Sequence, residues 1–354
     1  MSSDSTHRIV FDPATVRTPR KHGKLVVPPS FVDGAFDSHA TDCPFLFEHD
    51  GRYYMTYVGW DGMGYRTGLA VSRDLESWSK IGMIIDRGPA GSATHYNVAM
   101  TGLLRENDLF RPATVRKVDG RFVGTYHAYP GVGYEVGPAV IGLCYSEDLR
   151  KWEVDEPILY PDSGHAWEAG GLYKSWIMEV DGTFYLFYNA KNRDEKPWFE
   201  QTGFATSRDL VHWDRYPGNP VLPIGIPGEF DDVFASDPCV LRAGDVWIMF
   251  YYGYSSDGHA RDGYAVSEDL KTWKKSGEIL IDVGPPGAVD DKYASKPAMI
   301  YGNDRLYHFY GAVTQFPKRR LGEIEHTEIR GITFATGPES ESSPTPQSSF
   351  PAPA

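Results

Sequence analysis

The heptapeptide SRDLESW at Ser72–Trp78 is the clearest repeated unit of the chain, because it returns three more times. The copies are SEDLRKW at Ser146–Trp152, SRDLVHW at Ser207–Trp213 and SEDLKTW at Ser267–Trp273. Each copy follows a short strand-like stretch that begins with glycine, namely GLAV, GLCY, GFAT and GYAV. A fifth such stretch, GITFATG from Gly331, lacks the turn. Self-similarity at a regular period indicates an array of equivalent structural units.

A second repeated element lies upstream of each glycine stretch. It is a polar turn followed by aromatic and β-branched residues, as in DGRYYMTYVGW from Asp50 and DGTFYLFYNAK from Asp181. This pattern is typical of a β-hairpin. One apolar stretch precedes each hairpin and another follows each Asp-Leu-x-x-Trp turn, so each repeat holds four short strands. Five repeats of about 60 to 70 residues therefore predict an all-β fold, a five-bladed β-propeller with four-stranded antiparallel blades.

The two ends of the chain are predicted to share the last blade. The fifth repeat stops without a fourth strand, whereas Gly23–Asp37 resembles the fourth-strand segments of earlier repeats. We therefore expect Leu25–Val27 to supply the missing outer strand, which would remove an exposed sheet edge. The predicted organisation is an N-terminal arm over 1–22, a propeller over 23–337 and a disordered Pro/Ser-rich tail over 338–354.

Composition and charge restrict the partners of this chain. Its 354 residues are 41% hydrophobic and carry a formal net charge of −13, which argues against a general nucleic-acid binder. No apolar run approaches the roughly 20 residues that span a bilayer, and the N-terminus lacks the apolar core of a signal peptide. The three cysteines are too widely spaced for a disulfide framework or a zinc motif. These features predict a cytoplasmic protein without membrane contact.

Charged residues are expected to collect where the innermost strands begin, at the mouth of a central channel. An alignment of the five strand starts places one divergent, mostly charged column there. The column holds Cys43, Arg111, Lys174, Asp237 and Lys296. Equivalent positions that differ in charge among similar repeats indicate a ligand site, because converging buried charges are costly without partners. The alternative is a plug of paired charges that seals the channel.

A second column of the same alignment is acidic and holds Asp37, Glu168, Asp231 and Asp290. Because an acid recurs in four repeats, a local turn or strand-start role is the alternative to substrate binding. Glu168 is the only glutamate of the four and remains a catalytic candidate. Asp42 is a further candidate, since two other repeats have serine at its place.

Two other residue types near the mouth are candidates for ligand contacts. Trp60 lies after a second strand, where its ring could stack on a ligand or pack in the loop. His127 is one of four histidines in segments that lead to the mouth, together with His39, His95 and His165. Their spacing is not that of a metal site, so neither a metal nor a cofactor is expected.

Taken together, these motifs resemble the five-bladed β-propeller glycosidases. The shared features are the Asp-Gly hairpins, the S-[RE]-D-L-x-x-W turns and inner strands that open on D-P or D-C-P. That group includes glycoside hydrolase families 43, 32, 62 and 117 and the phosphorylase-rich family 130. The family 32 signature W-M-N-D-P-N-G is absent, which disfavours a fructosidase. The resemblance implies an exo-acting enzyme that cleaves a terminal sugar from a short glycoside in a central funnel.

The resemblance also implies three catalytic carboxylates. One is a base or nucleophile in the first blade, and the others are a general acid and an acid that tunes its pKa. Carried over to this sequence, Asp42 approximates the first-blade acid and Asp237 keeps the D-P pattern. Glu168 is the nearest glutamate on the third blade. Either Asp237 or Glu168 would donate the proton, and the choice between them stays open at this point.

The substrate class stays open as well. The residues expected to bind substrate are Arg111, Lys174, Lys296, Trp60, His127 and Asp37. Three cations among them favour either an acidic sugar or inorganic phosphate as a ligand. Hydrolysis of an oligosaccharide or glycoside is the preferred interpretation. A phosphate-dependent phosphorylase and a non-catalytic glycan-binding propeller are the alternatives, because a fold does not fix a function.

Overall fold

The computed structural model describes residues 11–338, and this part of the chain is built almost entirely from β-strands. Its one helical element is a 3₁₀ turn at Pro13–Val16, capped by the Asp12 side chain, which accepts from the Ala14 N–H. Within 11–338 no helix is long and apolar enough to cross a membrane. The predicted all-β class is confirmed. The first ten residues of the predicted arm, and the predicted tail from 339 onward, lie outside the described residues.

The strands follow the sequence repeats in order. In the described range they are β1 (Arg20–Lys21), β2 (Ala40–His49), β3 (Arg52–Trp60), β4 (Tyr65–Ser72), β5 (Ser79–Ile85), β6 (Ala99–Leu103), β7 (Lys117–Val118), β8 (Arg121–Ala128), β9 (Val140–Ser146), β10 (Glu153–Leu159), β11 (Gly171–Val180), β12 (Thr183–Lys191), β13 (Glu200–Ser207), β14 (Asp214–Arg215), β15 (Phe234–Ala243), β16 (Val246–Tyr254), β17 (Ala260–Ser267), β18 (Lys274–Ile281), β19 (Tyr293–Gly302), β20 (Arg305–Leu321) and β21 (Ile324–Thr336).

Strand pairing is antiparallel within each repeat. The meanders are β2–β3–β4–β5, β6–β8–β9–β10, β11–β12–β13–β14, β15–β16–β17–β18 and β19–β20–β21. Consecutive repeats touch where a third strand begins beside the next inner strand, in parallel bridges such as Glu200 with Phe234 and Ala260 with Tyr293. Ala40 of β2 likewise bridges Arg330 of β21, so the first repeat touches the last. The result is a propeller-like array.

The four heptapeptide turns fold through hydrogen bonds within the heptapeptide itself. In the first copy, the Ser72 hydroxyl accepts from the Leu75 N–H at 2.9 Å, and the Asp74 carboxylate accepts from the N–H groups of Glu76 and Ser77. Trp78 donates its indole N–H to the Leu75 carbonyl at 3.0 Å. The turn leucines adopt left-handed φ angles of 63–65° in every copy, at Leu75, Leu149, Leu210 and Leu270.

The acidic column forms a repeated scaffold contact. Each acid accepts a hydrogen bond from a tyrosine hydroxyl 20 residues later and forms an ion pair of 2.6 Å with a cation. The sets are Asp37 with Tyr57 and Lys80, Glu168 with Tyr188 and Arg215, Asp231 with Tyr251 and Lys275, and Asp290 with Tyr310 and Lys21. All four carboxylates are buried. These contacts tie the start of an inner strand to the outer part of its own repeat.

The N-terminal segment lies beside β21. Val26 donates its N–H to the Ile332 carbonyl at 2.8 Å, and Val27 forms an antiparallel bridge with Ile332. Lys21 of β1 pairs with Ala335, so part of the predicted arm already belongs to the sheet. Lys21 thereby gives Asp290 the cation that Lys80 and Lys275 give to Asp37 and Asp231 in their own repeats.

One end of the space between the inner strands is covered by the segment 104–116. Arg105 is 2% exposed and donates to the carbonyls of Leu46 and Met299 at 2.6 and 3.0 Å. Its guanidinium lies 5.3 and 5.2 Å from the rings of Phe45 and Trp176. Burial lowers the pKa of Arg105 to about 10. The opposite end of the inner strands, where they begin, stays open and holds the site.

Candidate active site

A cavity of about 400 Å³ lies at the starts of the inner strands. Four carboxyl groups line it, namely Asp42, Glu135, Glu200 and Asp237. Four cations line it as well, namely Lys174, Lys196, Lys296 and Arg330. Aromatic rings form much of the remaining wall, with Tyr65, Tyr129, Tyr134, Tyr173, Trp198, Phe234, Tyr252, Tyr254 and Tyr293. A partly apolar cavity with a few convergent polar groups is the usual form of a small-ligand site.

Backbone bulges direct four side chains of the charged column into this cavity. The pairing register of four inner strands shifts at Cys43, Lys174, Asp237 and Lys296. These residues have left-handed φ angles of 49°, 41°, 57° and 68°. A non-glycine residue in this region costs on the order of 1–3 kcal/mol, and such strain is concentrated at functional sites. Bulges that re-aim side chains are common next to active sites.

Asp42 is held as a carboxylate. Its Oδ2 atom lies 2.7 Å from Lys296 Nζ and 3.2 Å from the Arg330 guanidinium, and its Oδ1 accepts from the Cys43 N–H at 2.9 Å. Burial disfavours the charged form, but the two cations and the hydrogen bonds outweigh it. They lower the pKa of Asp42 to about 2.

Asp237 has the opposite environment. It is 2% exposed, and its Oδ1 lies 3.3 Å from the Ser236 hydroxyl, whose proton goes to Glu200, and 3.2 Å from the Asn189 amide nitrogen in the orientation that satisfies the contacts of that amide. Within residues 11–338 its Oδ2 has no hydrogen-bond partner. Burial raises the pKa of Asp237 to about 7 in spite of Lys296 and Lys174, and the negative charge of Glu200 adds to the rise. A protonated carboxyl with one free oxygen can donate that proton to a ligand.

Glu200 is a buried carboxyl beside Asp237 that the sequence analysis missed. It accepts from the Trp198 indole at 2.8 Å, from the Ser236 hydroxyl at 2.9 Å and from the Tyr252 hydroxyl at 3.1 Å. Burial and the charge of Glu135 raise its pKa. The available signal was an acid three residues before a repeat glycine. The aligned residues of the other four repeats are Tyr65, Ala139, Ala260 and Glu328, so an acid recurs there in the fifth repeat.

Glu135 is a second carboxyl that the sequence analysis missed. It lies on the glycine-rich loop 130–138, with a left-handed φ of 54°, and Tyr65 donates to it at 3.4 Å. Its neighbour Tyr134 is 46% exposed and packs edge-on against Trp60, with ring centroids 5.8 Å apart. Trp60 thus lies beside the mouth and contacts the lining ring of Tyr65 as well.

Lys174 and His127 form a neighbouring pair of donors in the cavity wall. Lys174 is 4% exposed, and its ammonium has no hydrogen-bond or ion-pair partner in the described part of the chain. The Lys174 N–H donates to His127 Nδ1 at 3.3 Å. Burial, with help from Lys174 and Lys296, lowers the pKa of His127 to about 3, so the ring is neutral and carries its proton on Nε2.

Three of the sequence-predicted residues lie away from the cavity. Asp37 and Glu168 are engaged in the scaffold contacts described above. Arg111 lies on the covering segment, with a side chain 71% exposed and 3.9 Å from Asp108. The inner strand of its repeat is β6, whose register shift falls at Thr101, so the chain has already left the sheet before Arg111. An alignment without gaps could not reveal that the chain leaves the sheet between β6 and Arg111.

One cluster has donor atoms that could approach a metal ion. Atoms of Asp162, His165 and Glu168 lie within 4.8 Å of one another. Glu168 is already neutralised by Arg215 and accepts from Tyr188 at 2.8 Å. The cluster therefore offers a cation little uncompensated negative charge, and it lies apart from the cavity lining.

Comparison with known proteins finds similarity to carbohydrate-active enzymes. The family model of the glycosyl hydrolases family 32 N-terminal domain matches residues 107–286. A 1,2-beta-oligomannan phosphorylase of Thermoanaerobacter sp. (strain X514) is 26% identical over 43% of each chain. A levanase of Bacillus sp. (strain L7) is 29% identical over 51% of this chain and 19% of the levanase. These matches span less than half the length of those curated relatives.

A solved structure supports the same relationship over nearly the whole chain. This structure, described as that of a glycoside hydrolase, superposes with a TM-score of 0.75 and 28% identity, covering 96% of both chains. The resemblance to propeller glycosidases that the repeat motifs indicated is confirmed.

Proposed function

Because the chain belongs to the glycosyl hydrolases family 32 N-terminal domain family, we propose that it is an exo-acting glycoside hydrolase that removes a terminal sugar in this cavity. The observation that carries the proposal is the contrast between two carboxyls of one cavity. The pKa of Asp42 is lowered to about 2 and that of Asp237 is raised to about 7. Pairs whose surroundings separate their pKa values in this way identify acid and base.

Asp237 is the proposed proton donor. Glycoside cleavage requires one protonated carboxyl for the leaving oxygen and one carboxylate for the anomeric carbon or its attacking water. In our proposal the Asp237 proton moves to the glycosidic oxygen as the C–O bond breaks. Asp42 remains charged and acts as base or nucleophile. Glu200 takes the third role, because its charge contributes to the raised pKa of Asp237.

The test is activity on a panel of nitrophenyl glycosides, including furanosides. Asp42→Asn should lose at least about 10²-fold in kcat on these substrates, and Asp237→Asn should lose as much on alkyl glycosides or oligosaccharides, whose poor leaving groups need the proton, while the melting temperature shows a folded protein. Glu135→Gln is the discriminating variant, since Glu135 is the remaining carboxyl of the wall. If Asp42→Asn keeps near-normal turnover and Glu135→Gln abolishes it, the loop carboxylate is the base and our assignment fails.

Phosphorolysis is the second candidate, and two observations favour it. The match to a phosphorylase covers 43% of the chain, and Lys174 offers a cation for an anionic nucleophile. The same panel run with and without inorganic phosphate separates the two reactions. Release of free sugar at equal rates in both arms supports hydrolysis, whereas a phosphate-dependent rate with a sugar 1-phosphate product supports phosphorolysis.

We also propose a blade count for the fold and a cellular compartment for the protein. We infer five blades, with Leu25–Val27 as the outer strand of the last one, and the support is the β21 pairing together with the equivalent role of Lys21. We infer a reducing, cytoplasmic compartment, since all three cysteines are free and buried. The proposed ligand is an oligosaccharide or glycoside.

A further inference from the structure

Lys174 is a buried cation of the cavity wall that lacks a counter-ion. Its side chain belongs to a residue 4% exposed, and within 11–338 no carboxylate lies in ion-pair contact with it. A buried ammonium is costly unless it is paired. Its backbone is also held at φ 41°, in a conformation that side chains rarely adopt. Cys43, Asp237 and Lys296 share this left-handed φ, so the unpaired charge is what distinguishes Lys174, and a ligand can supply the missing negative charge.

The other cations of the wall are either paired with a carboxylate or exposed to solvent. Lys296 and Arg330 lie 2.7 and 3.2 Å from the Asp42 carboxylate. Lys196 is exposed at the rim, with its ammonium 5.0 Å from the Trp198 ring centroid. Lys174 is therefore the deep cation that remains available to a ligand in the described structure.

The electrostatic balance of the cavity differs from that of the whole chain. Four cations face four carboxyls, but burial raises the pKa of both Asp237 and Glu200. When Asp237 alone holds a proton, four cations face three carboxylates, so the wall is net positive by one charge, although the chain as a whole carries −13. A positively charged cavity wall favours an anionic ligand.

His127 supplies a second donor to the same cavity. Because its Nδ1 accepts the Lys174 N–H, the ring presents N–H at Nε2, which has no partner in residues 11–338. One ammonium and one neutral N–H match a singly charged carboxylate, whose two oxygens can each accept a bond. A phosphate dianion would leave one negative charge without a partner at this pair.

We propose that Lys174 and His127 bind a carboxylate carried by the terminal sugar, so that the preferred substrate is a uronic-acid-type glycoside. This inference rests on the proposed function for the reaction, but the binding step itself needs no catalysis. In this proposal Lys174, the cation of the third repeat, binds the acidic sugar and not inorganic phosphate.

The test measures binding by titration calorimetry with glucuronate, galacturonate, the matching neutral sugars and inorganic phosphate. We expect at least one uronate to bind about 10- to 100-fold more tightly than its neutral counterpart, the range of one or two charged hydrogen bonds. Lys174→Met should abolish this preference. Lys196→Met, the matched control for positive charge at the same cavity, should retain it.

Several outcomes would overturn the inference. These are equal binding of uronate and neutral sugar, an unchanged preference in Lys174→Met, or stabilisation by phosphate alone. A purely pKa-tuning role for Lys174 is recognised by activity: neutral and acidic glycosides would lose equally in Lys174→Met, and the basic limb of kcat/KM would move. His127→Gln, which keeps an N–H donor, should weaken uronate binding less than His127→Ala.

Failure of this inference can be separated from failure of the proposed function. Uronate binding that persists in Asp237→Asn while hydrolysis is lost supports both. Uronate binding without hydrolysis of any glycoside refutes the enzyme proposal alone. Hydrolysis restricted to neutral glycosides, without uronate binding, refutes the carboxylate subsite alone.

Discussion

Replacing Lys21 by methionine tests whether the N-terminal segment completes the last repeat. The Lys21 ammonium lies 2.6 Å from Asp290, whose side chain is 4% exposed, and the carboxylate also accepts from Tyr310 at 2.9 Å. Methionine keeps most of the aliphatic stem and removes the charge. The variant therefore leaves Asp290 buried without its cation.

The expected loss follows from the exposure of the two partners. Removal of one member of a buried ion pair costs about 3–5 kcal/mol, whereas an exposed pair is worth at most about 1 kcal/mol. The Lys21 side chain is 30% exposed, so water partly screens the pair. The Tyr310 hydroxyl still stabilises the carboxylate. We therefore expect Lys21→Met to lower the free energy of unfolding by about 2–3 kcal/mol.

The assay is urea unfolding at neutral pH, with Lys275→Met as the matched control. Lys275 makes a 2.6 Å ion pair with Asp231 inside a repeat whose strands are contiguous in sequence, and its exposure is a similar 22%. Both variants should lose comparable stability, and Asp290→Asn should rescue part of the Lys21→Met loss. A loss below about 0.5 kcal/mol for Lys21→Met, beside about 2–3 kcal/mol for Lys275→Met, would refute ring closure by the N-terminal segment.

Three further expectations concern the carboxyls. The pKa of Asp237 is about 7 in the folded protein and 3.8 in the reference state, so kcat/KM should fall as pH rises through about 7. For the same reason the free energy of unfolding should decline as pH rises from about 4 to 7. Urea unfolding at several pH values should show this decline in the wild type and not in Asp237→Asn. Glu200→Gln removes a charge that raises this pKa, so the basic limb of the pH–rate profile should move to lower pH; a limb that stays in place would contradict the coupling. Glu168→Gln leaves Arg215 without its carboxylate, so it should lower the melting temperature by several degrees yet change kcat less than about tenfold; a 10²-fold loss in a folded variant would return Glu168 to the catalytic set.

The strand order was accessible from the sequence because its determinants are local. The heptapeptide turns are fixed by bonds within seven residues, such as the Ser207 hydroxyl accepting from Leu210 and the Asp209 carboxylate accepting from Val211. The same residue types recur in each copy, so each copy predicts the same strand reversal.

The site was accessible only where repeats keep the same length. Lys174, Asp237 and Lys296 reach one cavity because each sits at the same register shift of an inner strand. Arg111 does not, since segment 104–116 leaves the sheet and crosses the other end of the inner strands. Glu135 comes from a loop with no counterpart of equal length, so no repeat alignment could place it.

The distinction between the acids of the scaffold contacts and the acids of the cavity wall was nevertheless present in the sequence. Asp37, Glu168, Asp231 and Asp290 are each followed 20 residues later by a tyrosine that bonds to them. The residues 20 positions after Asp42 and Asp237 are Gly62 and Asp257, which offer no such hydroxyl.

A buried carboxylate with a dedicated tyrosine and cation has its charge compensated outside the cavity, so it stabilises the scaffold. A buried acid at a channel mouth without that tyrosine must find compensation across the channel or accept a proton. Asp42 does the first, through Lys296 and Arg330, and Asp237 does the second. The two outcomes give one cavity both a carboxylate and a carboxylic acid at the same pH, and glycoside cleavage needs that pair.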